Sequence, residues 1–148
     1  MFVVAICSLL LLVLTTIIHY EALRLLGSSL PRIDVPARSK LIVVILATFF
    51  AHALEMLLYG GAFFLLVNRL ELGGLGGQAQ VSIAHSLYFS AETYTSLGFG
   101  DVVPTGAIRL LAGAEALNGL LLIGWSASYI YLSMERYWQP EAARREGD

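Results

Sequence analysis

The chain is short of charge, has one cysteine, and lacks several kinds of chemistry altogether. A single cysteine, Cys7, excludes an intrachain disulfide, and its place in an apolar run makes it a packing residue. No nucleophile beside a base, no zinc-type ligand spacing and no phosphate-binding loop is visible, so no enzymatic chemistry is expected. The formal charge of -2 is too small to imply a nucleic-acid partner. The first apolar run carries no row of arginines, so it offers no charged helix that would respond to a membrane potential. Charged residues make up only 14% against 57% hydrophobic, which is far from a soluble domain and points to a membrane protein. At 148 residues there is room for one domain and little else.

Three apolar runs are long enough to cross a bilayer as helices. Residues 1–26 form the first, without the positive start and small-residue end of a cleaved leader. Gly27, Pro31 and Pro36 break it, and residues 27–40 read as a loop carrying Arg24 at its edge with Arg32, Arg38 and Lys40. The positive-inside rule puts this loop in the cytoplasm and the N-terminus outside. Residues 41–67 form the second span, about 40 Å long if fully helical, with Gly60 and Gly61 allowing close helix packing. Residues 68–81, rich in glycine, read as a flexible external turret. Ser82 is a candidate cap for a helix over residues 82–94, about 18 Å long and too short to cross, so it must dip in and return. Residues 106–134 form the last span, with Tyr137 and Trp138 as interfacial anchors and residues 135–148 as a cytoplasmic tail carrying Arg136, Arg144 and Arg145.

Between the short helix and the last span runs Thr95-Ser96-Leu97-Gly98-Phe99-Gly100-Asp101. Glycines alternating with larger residues suit a backbone that turns its carbonyls toward one line, because glycine tolerates positive φ. Irregular backbone at membrane depth is tolerated only where it is buried in protein or lines a water-filled cavity. Four such strands around an axis would form oxygen cages able to replace the water shell of a cation.

From Thr93 to Pro104 the sequence resembles the selectivity-filter signature of the potassium-channel superfamily, T-x-T-T-V-G-Y-G-D-x-x-P. The resemblance extends over roughly Leu41 to Tyr131 and looks like a small bacterial member with an extra leading helix. It implies an all-α membrane protein of three transmembrane helices plus a re-entrant pore helix, assembled as a homotetramer in the cell membrane and conducting K+. It further implies that K+ meets the carbonyls of Ser96, Leu97, Gly98 and Phe99 and the Ser96 hydroxyl, with Gly100 completing the filter and Thr95 holding the base of the pore helix. No cofactor is implied beyond K+ as permeant ion. Three departures stand out. Ser96 replaces Thr and loses a methyl that fixes the rotamer, Leu97 replaces Val, and Phe99 replaces Tyr and its phenol hydrogen bond. Tyr88 and Phe89 are expected to brace Phe99 by packing. Some superfamily members pair a Glu at the position of Glu92 with the Asp after the filter, here Asp101. The departures leave a weakly selective cation channel as one alternative, and a non-conducting scaffold with a pore-like fold as another.

Acidic residues within spans are functional candidates by default. Glu115 and Asn118 lie three apart on one helix face, and Glu115 reads either as a carboxylate ring facing the cavity or as a structural carboxylate packed on the pore helix. Gly119 and Gly124 read either as gating hinges or as close-packing residues. His52 and Glu55, also three apart, read as a buried polar pair or a pH sensor, and two such residues are weak evidence for metal. His19 is expected at an interface, and His85 as a packing or hydrogen-bonding residue.

Overall fold

The computed structural model describes residues 1–78 and 80–146, with side chains at all of these except Ala37 and residues 138–146. Four helices form the body: α1 (Phe2–Ser29), α2 (Ala37–Asn68), α3 (Ile83–Tyr94) and α4 (Arg109–Glu146). Two three-residue strands, β1 (Gly73–Leu75) and β2 (Pro104–Gly106), flank α3 and the 95–101 loop. Helices α1, α2 and α4 are long and apolar enough to cross a membrane. At 12 residues, α3 is about 18 Å long and falls short of the roughly 30 Å hydrocarbon core. It is an all-α membrane fold.

Helix boundaries follow local chemistry. A 3-10 turn over Leu30–Arg32 takes Pro31 in its first positions, and Pro36 occupies the N-cap of α2, where its missing amide costs nothing. Ser82 caps α3 by accepting the His85 amide at 3.1 Å. Helix α4 starts at Arg109, three residues later than the apolar run predicts, because Gly106 sits at φ +69 in β2 and is paired with Gly73.

Inside the expected turret, residues 73–75 form a strand. Gly73, Gly74 and Leu75 pair antiparallel with Gly106, Thr105 and Pro104, and the Gly74 amide also donates to the Thr105 hydroxyl at 3.1 Å. Strands this short and glycine-rich show no alternation of apolar and polar residues, so sequence alone does not reveal them.

Helix α1 looks uniformly apolar in sequence, yet it buries one stripe: Val4, Ser8, Leu11, Thr15, His19, Leu23 and Leu26. Steps of three and four keep these on one face. Its polar members point inward and its most apolar surface outward, as a helix in lipid requires. Ser8 and Thr15 return their hydroxyl protons to the carbonyls of Val4 and Leu11, each at 2.8 Å. His19 is fully buried, which corrects its expected interfacial position.

One apolar cluster, including Tyr59, Phe63, Phe89, Ile108 and Leu111, packs α2, α3 and the start of α4 together. A second, around Leu23, Leu26, Leu30 and Val44, lies at the other end with Tyr129 and Tyr137. The Lys40 ammonium stands 5.3 Å from the Tyr137 ring centroid, so the 27–40 loop and the end of α4 share one end of the molecule. The expectations for Trp138, Arg144 and Arg145 lie outside the described side chains.

Candidate functional site

The stretch after α3 has two unlike sides. Ser96, Gly98 and Gly100 have φ of +55, +53 and +82, whereas the intervening Leu97 and Phe99 do not enter that region. Alternating hand along the chain sets successive peptide dipoles parallel, with amides on one side and carbonyls on the other. The amide side is tied down: Ser96 N–H donates to the Thr93 carbonyl at 3.0 Å and Gly98 N–H to the Glu92 carbonyl at 3.2 Å. Among the described residues, no amide donates to the carbonyl of Ser96, Leu97, Gly98, Phe99 or Gly100. Five consecutive acceptors are thus left for something else.

Ser96 is, among the described residues, one of two non-glycines at positive φ, a region that strongly resists β-branched side chains. Serine in place of threonine relieves that conflict at Ser96. Thr95, by contrast, sits in the right-handed region at φ -80 as the C-cap of α3, and its hydroxyl donates to the Ala91 carbonyl at 2.7 Å.

Around this loop the structure places the other candidates. The Tyr88 ring stacks on Phe99 with centroids 6.5 Å apart and planes 5° apart. Its hydroxyl donates to Asp101 at 3.0 and 3.2 Å. Phe89 instead meets Phe63 of α2 edge-on at 4.9 Å. Glu92 is buried, with Oε2 unpartnered among the described residues. Glu92 lies in the re-entrant helix, outside the three spans, and burial followed by the charge of Asp101 pushes its carboxyl above the ordinary carboxylate range.

Glu115 is fully buried and accepts the Ser90 hydroxyl, so this side chain faces α3 of its own chain. The Asn118 amide donates to the Thr15 hydroxyl at 2.7 Å and to the Tyr59 hydroxyl at 3.2 Å, joining α4 to α1 and α2. A Cβ on Gly119 would lie 2.1 Å from the Tyr94 carbonyl oxygen, and one on Gly60 would lie 2.6 Å from Leu87, so both glycines permit close approach to α3. Gly61 and Gly124 have nothing within 4 Å of that position. His85 Nε2 is buried without a partner among the described residues.

His52 and Glu55 do meet, with Nδ1 to Oε2 at 3.2 Å, but they belong to a larger cluster. His19 of α1 reaches the other Glu55 oxygen at 2.9 Å, Tyr94 donates to Glu55, and Ser126 of α4 lies 3.0 Å from Nε2 of both histidines. Helix spacing exposes His52 and Glu55 to sequence reasoning. Nothing local marks His19, Tyr94 or Ser126, whose partners lie 36 to 107 residues away.

A short helix dipping between two spanning helices and ending in a loop of alternating hand defines a pore-loop membrane protein. Residues 40–136 match a family model described as "Ion channel", and the chain belongs to this family, within the potassium-channel superfamily. Two-pore potassium channel 1 of Arabidopsis thaliana is 39% identical over 51 residues. That stretch is 34% of this chain and 14% of the relative, so the chain covers a small part of that protein's length. No solved structure matches.

Proposed function

We propose that four copies assemble around an axis through the 95–101 loops to form a potassium-selective channel. The observation that supports this is the row of unbonded carbonyls from Ser96 to Gly100, held by amides tied to the pore helix. A dehydrated cation needs several oxygens at once, and one strand supplies only one side of a cage. The exposed side chains of Leu97, Phe99 and Val103 are apolar surface that neighbouring subunits would cover. The cytoplasmic side is assigned to the end holding Arg24, Arg32, Arg38, Lys40 and Arg136, which leaves the filter mouth outside. Purified full-length protein in liposomes should pass K+ well ahead of Na+, with block by Ba2+. Equal K+ and Na+ flux would make it a weakly selective cation channel, and no flux at any voltage or pH a non-conducting scaffold.

Glu92, Asp101 and Tyr88 form the brace behind the outer filter in this reading. A raised folded-state value means that Glu92 holds its proton at pH values where an exposed carboxylate has lost it. As external pH rises through that value, Glu92 ionises against Asp101 and the brace loosens. The pH response of open probability should therefore lie on the alkaline side of ordinary carboxylate titration, and Glu92→Gln should remove it. Asp101→Asn combined with Glu92→Gln should show coupling of about 0.5 kcal/mol or more in single-channel recordings. Strictly additive effects, or an unchanged pH profile in Glu92→Gln, would dissolve the brace.

A further inference from the structure

We propose that His19, His52 and Glu55 form a binding site for a divalent transition metal of the zinc class that fastens α1 to the pore module. The three ligand atoms of His19, His52 and Glu55 lie within 4.8 Å of one another. Nitrogens and oxygens about 2.0 to 2.1 Å from a tetrahedral ion stand about 3.3 Å apart. Here Nδ1 of His19 is 2.9 Å from Oε1 of Glu55, and Nδ1 of His52 is 3.2 Å from its Oε2. The two rings face different oxygens of one carboxylate, so Glu55 would grip the ion through both.

Hydrogen counting supplies a second, independent observation. Both Nδ1 atoms face the Glu55 carboxylate and both Nε2 atoms face the Ser126 hydroxyl, giving four polar contacts. A neutral imidazole carries one N–H and a serine one O–H. With both rings neutral and Glu55 ionised, three hydrogens face four contacts and the Tyr94 proton is already given to Glu55, so the cluster needs one further positive centre, a proton or a metal ion. A metal between the two Nδ1 lone pairs and the carboxylate removes the shortfall. Each ring then donates its Nε2–H to the Ser126 oxygen, which has two lone pairs to accept them. Such outer bonds fix the tautomer and aim the ring of a metal-bound histidine. Two nitrogens with two oxygens suit Zn2+, Co2+ or Cu2+ rather than the all-oxygen shells of Mg2+ and Ca2+. His52 is the part-exposed member, 15% accessible at its side chain.

The site does not depend on the conduction reading, and its test is a binding measurement. Full-length protein purified without chelator should carry about one transition-metal ion per chain by mass spectrometry. After stripping, Co2+ should restore the intense visible bands of a tetrahedral site. Glu55→Gln and His19→Gln should each lower Co2+ affinity by about tenfold or more, whereas His85→Gln, which removes a histidine outside the cluster, should leave it unchanged. Should the cluster variants fail to fold, the wild-type Co2+ titration decides alone. Absence of those bands, or full affinity retained in the cluster variants, would overturn the site and leave an imidazolium as the source of the missing hydrogen.

Discussion

Gly98→Ala and Gly100→Ala should each bring potassium flux down to that of protein-free liposomes. The reason is backbone conformation rather than space, since a Cβ at either position meets nothing within 4 Å in the subunit. Both residues lie at positive φ, +53 and +82, where an L side chain costs about 1–2 kcal/mol. In the proposed ring of four the cost adds to about 4–8 kcal/mol, and the lower figure already depletes the conducting backbone about a thousandfold. The protein should still insert and assemble, because these residues pack against nothing that holds the subunit together. Liposome flux beside a size-exclusion profile measures both. A variant of normal size that conducts K+ at the wild-type rate would remove the filter from the 95–101 loop.

Gly119→Ala should fail for the opposite reason. The added carbon would stand 2.1 Å from the Tyr94 carbonyl oxygen, so α4 must move by roughly 1 Å away from the foot of α3. Overpacking of this kind costs about 1–3 kcal/mol per chain, and the shift reaches the filter through Tyr94, one residue before its start. Lower thermal stability and loss of most of the flux are expected. Gly124→Ala, with open space around the new methyl, should keep stability and lose at most a small part of the flux. The reverse pattern, a tolerated alanine at Gly119 and a silenced channel at Gly124, would make the second glycine the working hinge and would contradict close packing as the role of the first.

Much of the architecture was legible because its causes are local. Uninterrupted apolar runs define the spanning helices, Ser82 marks where the short helix starts, and the spacing of Gly98 and Gly100 marks the backbone that changes hand. What stayed hidden depends on partners far along the chain. His19 and Asn118 gain their meaning from Glu55 and Thr15, 36 and 103 residues away, and a uniformly apolar α1 gives no clue to which face turns inward. The pairing of β1 with β2 was invisible for a related reason, since six residues with three glycines carry no pattern. Glu115 and Gly119 each had two readings in the sequence, and only the position of α3 shows what they touch.

The inward polar stripe of α1 also bears on how the protein is made. Helices enter the bilayer one at a time and find each other afterwards. Ser8 and Thr15 carry their own hydrogen-bond partners one turn back, so each can wait in lipid without loss. His19 cannot, because its partners are on α2 and α4. A newly inserted α1 therefore holds one unmet polar group in hydrocarbon until the last helix arrives. That single side chain makes the arrival of α4 the step that completes the first helix's polar contacts.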